Sequence, residues 1–386
     1  MSNTKASLDA LYKDIYADKL DDLHPDFSKL LKSIPFREAK KTGKEFVQPV
    51  KLTNEQGFTY GRGVQTLSGS IDADNQQARI EGNPLTLQTV FSYDAAANMA
   101  SSKGAFVSAT KYRFQAMMES TTSRLEAQLL YGGDSLGAIA SADDGADSVV
   151  ISTSTWAPGI WSGAENASVD IYSADKVTLR VTASIASVDH ETRTLTLAAG
   201  TDLSGVIATD VVMYAGAKGN EMIGLSKIVD NSGSLYGIDG ADYSLWKGNE
   251  QVVSGNLTLK EILLGNAKAA AKGLMEDSVV YVSSVSFASL ANDQASLRRY
   301  SGEVKKATDG FTSIEFHAPS GVIEVIPHPM VKEGEALSFP KGKCERIGST
   351  DITFNTPGGE GGEMFKHLAN QTGYEVRLYT EQARVA

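Results

Sequence analysis

The chain has 386 residues, of which 41% are apolar and 22% are charged, which is ordinary for a globular protein. Its formal net charge of −11 argues against a broad basic surface that grips nucleic acid. The single cysteine, Cys344, excludes an internal disulfide framework and a cysteine-type zinc site. No window approaches the ~18 consecutive apolar residues that a membrane-spanning helix needs, so we expect no membrane contact of that kind.

The N-terminal residues predict an arm rather than a core. Apolar residues at helical spacing within 5–33 indicate an amphipathic helix that needs a partner surface. Basic residues dominate the next stretch, 35–44, which alone is typical of a solvated linker and alternatively of an arm that lies against acidic neighbours. These basic residues are Arg37, Lys40, Lys41 and Lys44.

From residue 45 the apolar pattern changes to a period of two. It predicts strands over 45–52, 57–65 and 85–91, with a polar stretch between the last two. Such a two-stranded excursion is too thin to hold a core, so we expect its apolar residues to pack outside the chain. They are Phe46, Val47, Val50, Phe58, Tyr60, Leu85, Leu87 and Phe91, with Arg62, Arg79 and Glu81 as polar contacts at the rim.

One long helix is predicted over 103–131. The stretch contains no proline, and Gly132-Gly133 follows it as a stop signal. Apolar residues cover a broad face, while Glu126 belongs to a narrow polar stripe on the other side. At 1.5 Å per residue this helix would be about 40 Å long, so we expect it to carry the strands before and after it.

The second half of the chain is rich in strand patterns. Residues 149–250 predict a β-rich insertion with Trp156, Trp161 and Trp246 as packing anchors. A helix over 257–274, a buried strand over 279–287, a short helix over 289–300 and a run of closing strands follow. A long helix first and a closing sheet last make an α+β protein.

No sequence motif supports catalysis or a bound cofactor. Residues 133–136 spell Gly-Asp-Ser-Leu, the signature of a class of serine hydrolases, but the only Asp-x-x-His runs from Asp21 to His24 and lies upstream. The five histidines have no metal-binding spacing, and the glycine-rich stretch 357–362 lacks the lysine of a P-loop. We therefore predict no catalytic residue, no metal and no cofactor.

The order of elements and four sequence segments carry a resemblance that covers nearly the whole chain. These segments are LLYGGDSLGAIA, VTASIASVDHETRTLTL, EMIGLSKIVDNSGSLYGIDGADYSLW and SFASLANDQASLRRY. The chain resembles the major capsid protein of tailed bacteriophages, which has the HK97-like fold. The resemblance implies an N-terminal arm (1–44), an E-loop (45–92), a peripheral domain with a spine helix (93–147), an inserted β-rich subdomain (148–250), and an axial domain with return strands of the peripheral domain (251–386).

The resemblance also implies a function. Copies of the chain would assemble as hexamers and pentamers into an icosahedral phage head, in the host cytoplasm, around double-stranded DNA that is contacted weakly and non-specifically. Scaffolding, portal and decoration proteins would be partners. The E-loop would lie on the spine region of a neighbouring subunit, with intersubunit contacts at Phe58, Tyr60, Arg62, Arg79, Glu81, Arg37, Lys40, Lys41 and Lys44.

Two alternatives remain at this point. An encapsulin, a bacterial nanocompartment shell of the same fold, explains everything except the large β-rich insertion. A Gly-Asp-Ser-Leu serine hydrolase is the alternative from another functional class, and it is less favoured because its triad cannot be assembled in order.

Overall fold

The computed structural model describes residues 28–38, 45–92, 103–229, 233–292, 313–318, 320–354, 366–367 and 373–385. The predicted helix within 5–33 therefore lies mostly outside the described residues, as do Lys40, Lys41, Lys44 and the end of the helix predicted over 289–300. In the described part, no helix is long and apolar enough to cross a membrane.

The first elements of the chain are short. Helix α1 (Lys29–Ser33) precedes strand β1 (Phe36–Glu38), and β2 (Phe46–Lys51) pairs in antiparallel fashion with β3 (Asn75–Ile80). The prediction of a strand over 57–65 is wrong, because that stretch has no strand partner and β2 instead pairs with a polar segment further along. We call the pair β2–β3 with its connection the ribbon.

Strand β4 (Asn83–Ser92) does not belong to the ribbon. It pairs with the last strand of the chain along its whole length, from Asn83 opposite Gln382 to Ser92 opposite Gly373. Leu85 and Leu87 consequently pack against the chain's own core clusters, so the prediction that they need an external partner is wrong. The side chain of Phe91 lies outside the described residues.

The long helix α2 (Lys103–Tyr131) has the predicted bounds. Leu125, Leu129 and Leu130 in its last two turns are fully buried, so this end is part of the main core. The helix ends at Gly132, where a Cβ atom would lie 2.1 Å from the carbonyl oxygen of Met222. Only glycine, which has no Cβ atom, allows the segment around Met222 to pass so close to this helix end.

A closed six-stranded antiparallel barrel follows the helix. Its strands are β5 (Gly137–Asp143), β6 (Ser148–Ile151), β7 (Ser168–Tyr172), β8 (Leu179–Asp189), β9 (Thr194–Leu197) and β10 (Val211–Tyr214), in the spatial order β10-β5-β6-β9-β8-β7. The predicted domain edge at 148 falls between β5 and β6, which pair at Asp143 and Ser148. The barrel therefore occupies 137–214, whereas the prediction placed a β-rich unit over 148–250.

The barrel interior and its surroundings are apolar. Alternate residues of the strands are buried, among them Ile139, Ile151 and Ile171. Helix α3 (Pro158–Trp161) contributes Trp161, which stacks on Trp156 with ring centroids 6.2 Å apart. Trp246 packs instead against the base of the ribbon.

The remaining described elements form two larger sheets, one two-stranded sheet and three helices. They are α4 (Leu225–Val229), β11 (Ser234–Leu235), β12 (Ile238–Asp239), α5 (Leu259–Ala271), β13 (Ser278–Val282), α6 (Ser284–Asn292), β14 (Ile314–Ala318), β15 (Gly321–Pro327), β16 (Ala336–Pro340), β17 (Glu345–Thr353), β18 (Lys366–His367) and β19 (Gly373–Val385). One sheet has the order β14-β15-β13-β16, and the other the order β1-β17-β19-β18 with β4 also on β19.

The strand predicted over 279–287 is shorter than expected. It ends at Val282, because the Ser283 hydroxyl accepts a hydrogen bond from the Ser286 backbone N–H at 3.1 Å and so begins α6. A helix cap that the alternating pattern concealed thus divides one predicted strand into a strand and a helix.

Candidate assembly surface

The connection between β2 and β3 exposes large apolar side chains. Phe58 is 66% exposed, Tyr60 89%, Val64 107%, Leu67 81% and Ile71 58%. We call residues 57–71 the exposed loop. Contiguous apolar side chains at this exposure are typical of an interaction surface rather than of a finished monomer surface.

The exposed loop nevertheless has a defined shape. The hydroxyl of Ser68 donates to the Phe58 carbonyl at 2.9 Å, and the Ser68 N–H donates to the Thr59 hydroxyl at 2.8 Å. The Gln56 N–H donates to the Ile71 carbonyl at 3.0 Å. These bonds hold the two limbs of the loop together without covering its apolar side chains.

The base of the ribbon, in contrast, is packed within the chain. Leu52, Ala78 and Ile238 form a small buried cluster there. The Arg79 N–H donates to the Tyr236 carbonyl at 2.9 Å, and the Tyr236 hydroxyl donates to the Arg384 carbonyl at 2.6 Å. The ribbon is therefore fixed at its base and exposed at its tip.

The structure places five of the nine predicted contact residues in the ribbon or directly after it. Phe58, Tyr60 and Arg62 lie in the exposed loop, and all three are exposed. Arg79 lies in β3 with its Nη1 3.6 Å from Glu45 Oε2, and the exposed Glu81 follows that strand. Both are near the ribbon base rather than at its tip.

Arg37 has a partner in its own chain. It lies in β1, which pairs in parallel with β17, and its Nε is 3.1 Å from Glu345 Oε2. Because both side chains are partly exposed, this ion pair contributes little to stability. Lys40, Lys41 and Lys44 lie outside the described residues, so the structure does not place the rest of the predicted basic arm.

A buried charged junction lies at the C-terminal end of α2, and sequence reasoning missed it. Glu126, predicted on a polar stripe, has no exposed surface. Its oxygens accept hydrogen bonds from the backbone N–H groups of Leu30 and Leu31, at 2.6 and 2.7 Å. The α1 N-cap, Ser28, makes no side-chain capping bond, so Glu126 caps α1 from another helix.

The third contact of Glu126 is with a buried histidine, His328, whose tautomer follows from its hydrogen bonds. His328 Nε2 lies 2.8 Å from Glu126 Oε1, and His328 Nδ1 accepts from the Met330 N–H at 3.2 Å. Since Nδ1 accepts, the proton of a neutral imidazole is on Nε2 and is donated to the carboxylate. The carboxylate thus joins α1, α2 and the segment after β15.

A second group of buried charges surrounds the end of α2. The Lys332 ammonium lies 4.0 Å from the centre of the Tyr131 ring and 3.8 Å from Glu335 Oε1. Burial lowers the pKa of Lys332 and raises that of Glu335. Burial also raises the pKa of Asp134, but the positive charges of Lys332 and Lys176 outweigh it, so the net shift is downward.

Arg384 completes the junction from the last strand. It is fully buried, and its Nη1 donates to the Leu129 carbonyl at 3.0 Å, which satisfies a carbonyl in the last turn of α2. Its Nη2 donates to the Cys344 sulfur at 3.3 Å. Cys344 is buried at this contact, which accounts for the position of the single cysteine.

The Gly-Asp-Ser-Leu motif lies in this junction as a structural turn. Ser135 is buried, and Asp134 is bonded to Lys176 and to the Ser226 hydroxyl. Across the described ranges, no hydrogen bond joins Ser135 to a histidine, and no group of three His, Cys, Asp or Glu residues is placed to hold a metal ion.

Comparison with known proteins shows a likeness in structure alone. No family model matches the chain, and no curated protein matches it. The capsid asymmetric unit of cyanophage A-1(L) overlaps 100% of this chain and 96% of its own, with a TM-score of 0.59 and 10% sequence identity. The chain has a phage capsid fold.

Two further capsid structures overlap less well. The capsid of the native GTA particle covers 99% of this chain with a TM-score of 0.49 and 8% identity, and 95% of that chain is matched. The capsid of cyanophage Pam1 covers 100% of this chain and is itself covered to 94%, with a TM-score of 0.46 and 11% identity. The fold assignment depends on the first overlap, and it confirms the predicted resemblance to a phage capsid protein at the level of fold.

Proposed function

We propose that this chain is the major structural subunit of a tailed-phage capsid, with the HK97-like arrangement of arm, E-loop, spine helix and axial domain. The observation that carries the proposal is the overlap with the cyanophage A-1(L) capsid over essentially all of both chains. An overlap of that extent leaves no additional described domain that would need another function. The domain division given from the sequence is retained as part of the proposal, with the barrel beginning at Gly137.

Copies of the subunit assemble as hexamers and pentamers into an icosahedral head around double-stranded DNA. The net charge of −11 is compatible with this role, because a shell that encloses DNA must not bind it through many phosphate contacts. Scaffolding, portal and decoration proteins are the further partners in this proposal. The mature location is the virion.

The exposed loop supplies the principal contact between subunits. Its apolar side chains have no cover in the isolated chain, whereas the base of the ribbon is already packed. Burying large apolar side chains is the main favourable term in protein association. Phe58 and Tyr60 are the side chains from which we expect the largest contribution, since aromatic residues dominate interface energetics.

The test is to express the full chain, alone and with a candidate scaffolding protein, and to examine it by sedimentation and negative-stain microscopy. Closed shells of uniform size support the proposal. A protein that stays monomeric at high concentration in both settings would overturn it.

A structural role also predicts that Ser135 has no catalytic function. We expect Ser135→Ala to leave assembly unchanged and a serine-directed fluorophosphonate probe to leave the wild-type protein unlabelled, because in the described chain no hydrogen bond joins this buried hydroxyl to a histidine. Labelling of the wild type that disappears in Ser135→Ala would instead support the hydrolase alternative.

A further inference from the structure

A cleft of about 1120 Å³ lies between α4, α5, α6 and the edge of the sheet that contains β16. Apolar residues such as Leu225, Ile228 and Leu257 form part of its wall. Val252 and Val285 also line it and are 78% and 59% exposed. The cleft therefore has apolar side chains that the described chain leaves uncovered.

One wall of the cleft is an unpaired strand edge. Strand β16 pairs with β13 on one side and is the last strand of its sheet. The Lys341 N–H donates to the Asp277 carbonyl at 2.8 Å, so the hydrogen-bonded pairs of this antiparallel ladder continue at every second residue, Phe339 and Leu337.

The backbone groups of Ala336 and Ser338 consequently point away from β13. Both residues line the cleft, and in the described chain no backbone hydrogen bond reaches their N–H groups. Pro340, which has no N–H, ends the strand. An edge of this kind accepts an added strand through main-chain hydrogen bonds.

A buried asparagine on α5 holds this edge in place. Asn266 is 3% exposed, and its Oδ1 accepts hydrogen bonds from the hydroxyls of Ser278 in β13 and Ser338 in β16, at 3.4 and 3.0 Å. Its Nδ2 has no partner among the described residues, so a donor at the cleft wall is left unpaired. An edge that is already fixed binds an added strand at a lower entropic cost.

The charges of the cleft favour a basic partner. Carboxylates outnumber ammonium groups on its walls, which carry Glu250, Glu261, Glu333, Glu335, Lys247 and Lys272. The Lys272 ammonium already donates to the Lys247 carbonyl at 2.9 Å. Glu250 and Glu333, in contrast, are in no ion pair among the described residues. Unpaired carboxylates beside an apolar wall attract lysine or arginine side chains.

These features define the chemistry of the occupant. Because successive side chains of a strand point to opposite faces, alternate residues of an added strand would meet the apolar wall and the carboxylates. The basic stretch of this chain, 35–44, is not a free strand, since its residues Phe36–Glu38 form β1 and are paired with β17. The occupant therefore belongs to another protein.

We propose that the cleft binds an extended segment of a separate protein, in which lysine or arginine alternates with apolar residues, as an added strand beside β16. The proposal goes beyond the proposed function, because it names a partner by its chemistry and applies to a single subunit. It does not depend on the formation of shells.

The test is the fluorescence anisotropy of fluorescein-labelled peptides titrated with the full-length protein. The probe is Lys-Val-Lys-Val-Lys-Val, and Lys-Lys-Lys-Val-Val-Val is its control with the same composition and charge. Glu-Val-Glu-Val-Glu-Val reverses the charge, and a peptide of residues 35–44 represents a second copy of this chain. We expect the probe to bind about fivefold more tightly than each of the others, because it alone has both the alternation and the charge.

Each other outcome counts against the proposal. Equal affinity for the alternating and the block peptide, or binding of neither, overturns the added strand. Equal affinity for the acidic peptide overturns the basic partner, and tighter binding of the 35–44 peptide assigns the cleft to a second copy. Sedimentation of the same samples shows whether subunits are dispersed or assembled. Failure to bind dispersed subunits therefore refutes the cleft site and leaves the proposed shell standing.

A backbone variant tests strand addition at β16. Ala336→Pro removes one outward N–H and no hydrogen bond to β13, so the circular dichroism spectrum should match that of the wild type. We expect it to weaken binding of the alternating peptide about tenfold, because a main-chain hydrogen bond is lost. Unchanged affinity in a folded Ala336→Pro protein would place the peptide elsewhere.

A charge variant locates the site without altering the backbone. Glu250→Gln combined with Glu333→Gln removes both unpaired carboxylates of the cleft and should weaken binding of the alternating peptide about tenfold. The matched control is Glu165→Gln with Glu191→Gln, two exposed positions on the barrel that do not line the cleft. Equal losses in the two double variants would mean that the peptide responds only to the net negative charge of the protein.

Discussion

The buried charged junction and the exposed loop differ in how far their side chains are paired or covered within one subunit. At the junction, Glu126 and His328 have no exposed surface, and each of their polar atoms in the contact has a partner within the chain. In the exposed loop, Tyr60 and Val64 are almost fully exposed apolar side chains without cover. One region is complete in a single subunit and the other is not.

The difference separates folding from assembly. A buried carboxylate that loses a donor or its charge is expensive, because the remaining groups cannot recover their bonds to water. An apolar side chain that is exposed before and after substitution changes the stability of the subunit little. Substitutions in the two regions should therefore affect different measurements.

The largest effect on stability should come from Glu126→Gln. The amide keeps one oxygen acceptor but presents an NH₂ group to N–H donors, so at least one donor of the set formed by Leu30, Leu31 and His328 loses its partner. We expect a loss of about 3 kcal/mol in the free energy of unfolding, because a buried donor that loses its charged acceptor is left without a hydrogen bond. Urea denaturation followed by circular dichroism measures it.

Glu119→Gln is the matched control on the same helix. The Glu119 carboxylate accepts from Gln115 Nε2 at 2.8 Å at an exposed site, so its substitution should change the free energy of unfolding by less than about 0.5 kcal/mol. If Glu126→Gln were no more destabilising than Glu119→Gln, the junction would not be the tie between α1 and α2 that its geometry indicates.

A smaller, pH-dependent effect should come from Asp134→Asn. The pKa of Asp134 is lowered in the folded chain, because the positive charges of Lys332 and Lys176 outweigh the effect of burial. A lowered pKa means that the carboxylate stabilises the fold above its unfolded pKa, and that this stability is lost as the pH falls through the folded pKa.

The measurement is the difference in unfolding free energy between wild type and Asp134→Asn across pH. We expect a loss of about 1 kcal/mol near neutral pH, which is the typical net contribution of one hydrogen bond and suits a partly exposed pair. The difference should shrink as the pH is lowered below about 4. A difference that stays constant from neutral to acidic pH would mean that the charge of Asp134 is not what stabilises this turn.

The sequence predicted α2 well because its signals are local. Twenty-nine residues without proline and a glycine pair at the end suffice to set both of its ends. The ribbon was only half predicted, since the alternation over 57–65 has no partner strand and the polar segment Asn75–Ile80 does. Which segments pair depends on distant residues, and a one-dimensional pattern does not contain that information.

The contacts of the buried charged junction could not be predicted from the sequence pattern either. Helical periodicity assigned Glu126 to a polar stripe, and polar stripes usually face water. Its actual donors are about 95 residues before it and about 200 after it in the chain, and two of them are backbone N–H groups that leave no trace in the sequence. The exposure of Phe58 and Tyr60 was predicted, but the same reasoning failed for Leu85 and Leu87, because residue type alone does not show which apolar side chains are covered within the chain.

The smallest effect on stability should come from the exposed loop, combined with the largest effect on assembly. Phe58→Ser with Tyr60→Ser removes two aromatic side chains that are exposed in the subunit, so the free energy of unfolding should change by less than about 0.5 kcal/mol. Deletion of 66–82 is a poorer test, because it removes β3 and the buried Ala78 and Ile80. Circular dichroism and sedimentation together measure both consequences.

We expect the double variant to give a wild-type spectrum and to sediment as small species under conditions in which the wild type forms shells. The reason is that the aromatic side chains are covered only by another subunit. Their loss therefore weakens the contact between subunits and leaves the fold of each subunit unchanged. Substitution of Val177, which is 69% exposed and lies outside both the loop and the cleft, to Ser is a matched control for lost surface apolarity. Loss of folding in the double variant would place these rings in the subunit's own core, and normal shells would show that the loop is not an assembly element.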